Sequence, residues 1–205
     1  MSDSWIYSTI SKPSQGIYRE KGSKFLSFAF PVSGTDQTND ILTRLKKEHH
    51  SAKHHCYAYR IRGQASDLVR ANDDGEPANT AGKPILGQIN SLGLINVMIV
   101  VVRYFGGTLL GKGGLIQAYK NASADALNNS KIIRVEPSVI FQITTDYKNI
   151  NEVMRMTDSD GFEIISSNYA DNIVIKIKIP ASKSLNIASR LKRTEGVKVE
   201  MLGKA

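Results

Sequence analysis

The sequence is almost free of cysteine, and none of its apolar runs is long enough to cross a bilayer. The one cysteine, Cys56, excludes a framework of internal disulfides and favours a reducing compartment, for which the cytoplasm is the default. Residues 1–10 contain no basic segment followed by an apolar one, so we expect no secretory signal. With 205 residues, 41% hydrophobic and 22% charged, the chain has the composition of a soluble protein with one large domain or two small ones.

A long block of lysine or arginine is also missing. The net charge is +8, and the basic residues are spread along the chain. Such an excess permits attraction to a polyanion such as RNA, but a soluble protein without a polyanionic partner fits the same charge. The motifs therefore have to decide between these two interpretations.

The second part of the sequence, residues 137–205, alternates apolar and polar residues in short stretches. Such alternation predicts half-buried strands, which are SVIFQITT (138–145), FEIISSN (162–168), IVIKIKIP (173–180) and VKVEM (197–201). Two segments with apolar residues at helical spacing lie between them, and Ser182 or Ser184 can cap the second helix. The order βαββαβ predicts a ferredoxin-like domain with both helices on one face of the sheet.

That arrangement leaves one face of the predicted sheet uncovered. By alternation along the strands it carries polar and charged side chains, namely Gln142, Thr144, Glu163, Lys176, Lys178, Lys198 and Glu200. RNA-recognition domains of this shape stack bases on aromatic residues of that face, and none is predicted here. A solvated face is the simpler interpretation, while weak contact between the lysines and a phosphate backbone stays open.

Residues 1–135 predict an α/β domain that ends near Val135-Glu136-Pro137. The apolar run NVMIVVVRYF (96–105) is typical of a buried central strand. The other predicted strands are KFLSFAFPV (24–32) and HHCYAYRI (54–61), and the stretch KIIRV (131–135) closes the domain. The predicted helices are residues 36–50, a segment through PILGQINSL that Thr80 can cap, and residues 114–130 with Leu115, Ile116, Tyr119, Ala122, Ala126 and Leu127 on the buried side.

A glycine-rich segment, FGGTLLGKGGL, follows the predicted central strand and leads into a helix. The spacing Gly106-x-x-x-x-Gly111-Lys112 is that of a nucleotide-binding P-loop, but Gly113 stands where the metal-binding Ser or Thr belongs. A site for another anion at the helix N-terminus remains open. So does a purely structural role, in which the glycines let the helix pack closely over the sheet.

Three carboxylates are crowded into the stretch DDGEP, at Asp73, Asp74 and Glu76. Carboxylate oxygens are suitable ligands for a hard divalent cation, so these residues are candidate metal ligands. They fit equally an acidic turn in which Asp side chains accept hydrogen bonds from nearby backbone N–H groups. The turn is the simpler interpretation because no flanking ligands are evident.

The stretch HHSAKHHC (49–56) contains all four histidines and the only cysteine. A structural zinc site is not favoured, because no second pair of Cys or His exists elsewhere. His54 and Cys56 would share one face of a strand, but nothing in the sequence indicates an activated thiol.

The stretches DDGEPANTAGKPIL and VVVRYFGGTLLGKGGLIQAYKNASADAL resemble the signature of the IMPACT family, whose bacterial members are called YigZ-like. KGSKFLSF and HHCYAYRI resemble earlier segments of that family, in the same order. The resemblance is dense over residues 16–134, and the second part resembles the domain that bacterial members append.

This resemblance implies an N-terminal two-layer α/β domain, akin to domains of a ribosomal protein and of elongation factor G, and a C-terminal ferredoxin-like domain. Eukaryotic members regulate translation, partly through an extra N-terminal domain. We expect no room for that domain in this chain, so the eukaryotic role is not carried over to it. For bacterial members the resemblance implies a translation-linked, nucleic-acid-binding or ribosome-linked role, and no reaction. Asn79 stands where the family usually has Gly, but Asn tolerates the left-handed conformation. The family pattern does not require a lysine at Lys112.

Two functions follow as hypotheses. The first is a binding module for RNA or ribosome-associated factors, without a membrane partner. Its candidate contacts are Lys83, Arg103, Tyr104, Gly106, Gly107, Gly111, Lys112, Gly113 and Gly114. The second is an enzyme acting on a small phosphorylated or anionic substrate, in which a divalent cation at Asp73, Asp74 and Glu76 faces the glycine-rich segment. A scaffold in which both motifs are structural remains a third interpretation.

Overall fold

The computed structural model describes residues 6–63 and 66–204, which form two compact units. The first unit comprises residues 7–134 and the second mainly residues 135–204. The elements of the first unit are β1 (Tyr7–Ile10), β2 (Ser14–Glu20), β3 (Ser23–Pro31), α1 (Thr35–Glu48), β4 (His54–Ile61), β5 (Leu68–Asn72), α2 (Gly82–Ser91), β6 (Val97–Tyr104), α3 (Gly111–Asn128) and β7 (Ile132–Val135), which ends at its boundary. The elements of the second are β8 (Ser138–Thr145), α4 (Ile150–Asp160), β9 (Glu163–Tyr169), β10 (Ile173–Pro180), α5 (Ala181–Arg193) and β11 (Lys198–Lys204).

The first unit is built on an antiparallel five-stranded sheet in the order β2-β3-β6-β4-β5. Helices α2 and α3 pack on one face, where Ile85 and Tyr119 are fully buried. Helix α1 packs through Leu45 on the opposite face. The unit is therefore a domain of helices packed on a sheet, as expected, and its helices cover both faces of that sheet.

The central strand β6 explains why one continuous apolar run occurs in an antiparallel sheet. Val97, Ile99 and Val101 face α2 and α3, and the alternate residues Met98, Val100 and Val102 face the side of α1. All six side chains are fully buried. Because both faces are covered, the strand has no polar alternation.

Several local predictions differ from the structure. Helix α3 begins at Gly111 rather than at 114, and Ile116 is 42% exposed rather than buried. Strands β1, β2 and β5 were not predicted, because their residues are mostly half-buried or exposed and carry little apolar pattern. In the described ranges, no helix is long and apolar enough to cross a membrane.

The second unit has the predicted βαββαβ order, and its antiparallel sheet runs β11-β8-β10-β9. Helices α4 and α5 pack Val153, Ile187 and Leu191 against the isoleucines of β10. The strand register aligns Gln142 with Lys176 on β10 and with Glu200 on β11. The ferredoxin-like prediction is therefore confirmed, including polar residues on the other face.

The N-terminus of α5 differs from the prediction. Neither Ser182 nor Ser184 caps the helix, because it starts one residue before Ser182, and the Ser184 hydroxyl donates to the carbonyl of Ala181. The Glu136 carboxylate accepts a hydrogen bond from the Ser182 N–H instead. Hydrogen bonds from Ser182 lower the pKa of this carboxyl.

Two glycines of α2 allow a test of its packing. A Cβ at Gly82 would lie 2.5 Å from the backbone nitrogen of Asn72, whereas one at Gly87 would meet open space. We expect Gly82→Ala to lower the free energy of unfolding by about 1–3 kcal/mol, because the backbone must shift. Gly87→Ala should raise it by about 0.5–1 kcal/mol, because Ala favours helix.

Urea unfolding of the two variants beside the wild type measures both effects. Equal changes for the two glycines would contradict the close approach of α2 to β5.

Candidate functional site

A cavity of about 440 Å³ lies beside the N-terminus of α3 in the first unit. Segments distant in the sequence contribute to its wall: the start of β4, the turn before α2, the end of β6, and residues 105–115. The lining residues are Lys53, His54, Glu76, Pro77, Arg103, Phe105, Leu109, Leu110, Gly111, Lys112 and Leu115. The acidic turn and the glycine-rich segment thus face one cavity.

A buried ion pair forms one wall of this cavity. Nη1 of Arg103 lies 2.7 Å from Oε1 of Glu76, and the two side chains are only 7% and 3% exposed. The hydroxyl of Tyr119 on α3 donates to the same oxygen over 2.8 Å. The Arg103 guanidinium also lies 5.5 Å from the ring centre of Phe25 and 5.6 Å from that of Phe105. The arginine is therefore held in one orientation.

The remaining charges of the cavity are positive. Within residues 6–63 and 66–204, neither Lys53 nor Lys112 takes part in an ion pair, and both are exposed. Because Glu76 neutralises Arg103, the two lysines leave the cavity with a positive charge. The helix dipole at the start of α3 adds to it.

The Asp73 carboxylate caps the N-terminus of α2 by accepting backbone hydrogen bonds. Its carboxylate accepts hydrogen bonds from the N–H groups of Asn79, Ala81 and Gly82 over 2.8–2.9 Å. Burial would raise the pKa of this carboxyl, but the three N–H donors together with Lys83 outweigh it and lower the pKa. The predicted cap, Thr80, donates to the carbonyl of Pro77 instead.

Asn79, at the position where the family resemblance leads one to expect glycine, has φ = 65°. The left-handed conformation expected from the sequence is present, and the Asn79 N–H is one of the three donors to Asp73. The substitution of Asn for Gly therefore preserves the turn.

Asp74 has different partners from Asp73 and Glu76. Its carboxylate accepts a hydrogen bond from the His55 N–H over 2.7 Å and lies 3.3 Å from Nζ of Lys46. With Asp73 on α2 and Glu76 on Arg103, the three carboxylates do not converge. The described part of the chain contains no group of three or more His, Cys, Asp or Glu residues that could hold a metal ion. The geometry of a cation site at Asp73, Asp74 and Glu76 is therefore not formed.

Cys56 and His54 do not form a nucleophile pair. The Cys56 thiol is fully buried; it donates to the carbonyl oxygen of Asp73 over 2.9 Å, and its Sγ lies 3.3 Å from the hydroxyl of Tyr119. Burial raises its pKa, so the reactive thiolate is disfavoured. Nδ1 of His54 lies 2.8 Å from the carbonyl oxygen of Asp74 and therefore carries the proton of that hydrogen bond.

The glycine-rich segment is not a P-loop. Gly111, Lys112, Gly113 and Gly114 form the first turn of α3, so the lysine is part of the helix rather than of a flexible turn. Gly106 has a structural role, because a Cβ there would overlap the backbone of Gly22. Gly107 has φ = 87°, a conformation that favours glycine.

Of the predicted phosphate contacts, Arg103, Gly111 and Lys112 line the cavity. Tyr104 does not, because it faces the α1 side and its hydroxyl contacts Nδ1 of His49 over 2.9 Å. Lys83 lies in the first turn of α2 and is not part of the cavity wall.

Sequence reasoning did not single out most of the wall. Lys53, Phe105 and Leu109 were not candidates, His54 was considered only for a zinc site or beside Cys56, and only the fold brings these residues together. One signal was available for Glu76. Arg103 is the penultimate residue of a strand whose preceding six residues are all apolar, and a buried charge requires a counter-charge.

The ion pair of Glu76 and Arg103 predicts a large stability effect. Glu76→Gln leaves a buried guanidinium without its counter-charge, and we expect a loss of about 3–5 kcal/mol in the free energy of unfolding. Denaturant titration measures it. The control is Glu48→Gln on α1, whose pair with Arg44 is exposed, and its change should stay within about 0.5 kcal/mol. Equal losses would show that burial does not set the strength of the pair.

The lowered pKa of Asp73 predicts a pH dependence. Its stabilising contribution is fully present above the ordinary aspartate pKa of about 3.9 and is lost as the pH falls through the lower value of the folded state. We expect Asp73→Asn to make stability fall less steeply on acidification, measured as thermal unfolding between about pH 5 and 2. Asp40→Asn, at an exposed position of α1, is the control. An unchanged acid slope in Asp73→Asn would contradict the capping role.

Comparisons with known proteins agree with the motifs that surround the cavity. The Impact N-terminal domain family matches residues 21–127. IMPACT family member YigZ of Escherichia coli K12 is 30% identical over 191 residues, which cover 92% of each chain. Protein IMPACT of Rattus norvegicus is 40% identical over 96 residues, 45% of this chain and 30% of the rat protein. A crystal structure of a hypothetical protein is similar over 97% of both chains, with a TM-score of 0.71 and 28% identity. This chain therefore belongs to the IMPACT family.

Proposed function

We propose that this protein is a cytoplasmic, translation-linked RNA-binding protein whose phosphate contact is the cavity beside α3. The observation that carries the proposal is the charge of the cavity. Its only acidic lining residue, Glu76, is already paired with Arg103, whereas Lys53 and Lys112 have no acidic partner among the described residues. A site with this charge attracts an anion.

Backbone geometry supports the same ligand. Gly111 and Lys112 line the cavity from the first turn of α3, whose N–H groups have no partner within the helix and which has no side-chain cap. Such groups bind phosphate oxygens. The net charge of +8 would add long-range attraction to a polyanion.

The link to translation rests on membership of the IMPACT family, for which the resemblance of the motifs implies that role. The cytoplasmic location rests on the single reduced, buried cysteine. Binding is preferred over the alternative of a metal-dependent enzyme, because Asp73, Asp74 and Glu76 are each bound to a different partner.

Salt-dependent RNA binding tests the proposal. A single-stranded RNA should bind at low salt, and Lys112→Ala should weaken binding and reduce the slope of log affinity against log salt by about one. The control is Lys131→Ala, an exposed lysine beyond the other end of α3. Because the 18-residue helix is about 27 Å long, this lysine lies far from the cavity.

Fluorescence anisotropy over a salt series measures both quantities. Undetectable RNA affinity at low salt would overturn the proposed function. Equal losses for Lys112→Ala and Lys131→Ala would show that RNA binds elsewhere on the basic surface.

A further inference from the structure

We propose that the cavity admits one unstacked nucleotide, with its base against Phe105 and its phosphate near Lys53, Lys112 and the first turn of α3. The protein then prefers single-stranded RNA over duplex RNA. This inference rests on the proposed function and specifies which part of the RNA enters the site.

The apolar wall of the cavity distinguishes it from a simple phosphate site. Phe105, Leu109, Leu110, Leu115 and Pro77 make up much of the lining. Apolar side chains contribute no binding energy to a phosphate group alone. Apolar walls with a few placed polar groups, in a volume between about 300 and 1,000 Å³, are typical of sites for small organic ligands. The ligand therefore has an apolar, planar or compact part as well as an anionic one.

The ring of Phe105 offers an exposed aromatic surface on which a planar group can stack. It lines the cavity and yet remains 55% exposed. Its ring lies 5.6 Å from the guanidinium of Arg103, which is itself fixed by Glu76. A side chain supported in this way loses little conformational freedom when a base stacks on it. Leu109, 83% exposed, adds apolar surface at the same cavity.

The anionic end is supported by an independent observation. Nε of Arg103 is buried and has no hydrogen-bond partner among the described residues. An unpaired buried donor of this kind is uncommon, and a ligand that reaches it would satisfy it. Gly111, which lines the cavity at the start of α3, has no neighbouring atoms where a side chain would stand. A phosphate can therefore approach the backbone closely.

Duplex RNA does not fit this arrangement. In a duplex the bases are stacked on one another and only edges, phosphates and 2′-hydroxyls are presented. A base must leave the stack before it can lie on Phe105 inside a cavity. Single strands meet this condition without loss of base pairing, so the apolar wall favours them.

The experiment compares a single-stranded oligouridylate of about ten nucleotides with a duplex of the same length, by anisotropy at low salt. We expect the wild type to prefer the single strand, and Phe105→Ala to weaken single-strand binding about tenfold while duplex binding stays unchanged. Phe105→Tyr should retain the affinity because it keeps the aromatic face. Phe105→Leu should lose it, because it keeps apolar volume without that face.

Tyr147→Ala is the control for an exposed aromatic residue elsewhere, since Tyr147 is 60% exposed in the second unit. Uridine monophosphate and inorganic phosphate serve as competitors. Displacement by uridine monophosphate at concentrations at which phosphate has no effect supports a nucleotide site. If the mononucleotide binds as tightly as the oligomer, free nucleotide is the ligand source; if it binds more weakly, the source is the RNA strand.

Equal binding of single strand and duplex, with Phe105→Ala no weaker than Tyr147→Ala, would overturn this inference. In that case the dependence on Lys112 would still report on RNA binding at the cavity. The experiment therefore distinguishes failure of the nucleotide site at Phe105 from failure of RNA binding at the cavity.

Discussion

The ion pair between Glu76 and Arg103 is the interaction on which the site depends. Burying either charge alone would cost several kcal/mol, because its hydration is lost. Paired at 2.7 Å, with Tyr119 donating to the same carboxylate, they join three elements: the turn before α2, the end of β6 and the middle of α3. The cavity exists in its observed form because these elements are held together there.

The same pair determines the charge and the surface of the cavity. Because the Glu76 carboxylate is paired with Arg103, the acidic turn contributes no unpaired negative charge to the cavity wall. Asp73 and Asp74 are directed to backbone N–H groups of α2 and β4. The carboxylates of this motif therefore stabilise the fold. The positive charge of the cavity comes from Lys53 and Lys112. Arg103 in turn supports Phe105.

Much of the fold was predictable from periodicity. Strands β8 and β10 begin and end where their alternation predicts, because one face of each is packed on helices and the other is polar. β6 was predicted because both of its faces are buried. β5 was missed because it is a largely exposed edge strand, so its sequence carries little apolar pattern. The start of α3 was misplaced because glycines predict a turn, although the first turn of a helix tolerates them.

The sequence by itself determined the family, the ferredoxin-like second unit and the two motifs that matter, because local patterns and motif spacing are properties of the chain. It also identified Asn79 as a residue for a left-handed turn. Only the tertiary structure decided what each side chain meets. Glu76 pairs with a residue 27 positions away and accepts from one 43 positions away. Lys53 and Phe105 likewise line one cavity, because β4 and β6 are neighbouring strands in the sheet. Periodicity reports which face of an element is buried, and it carries no information about which distant residue lies opposite.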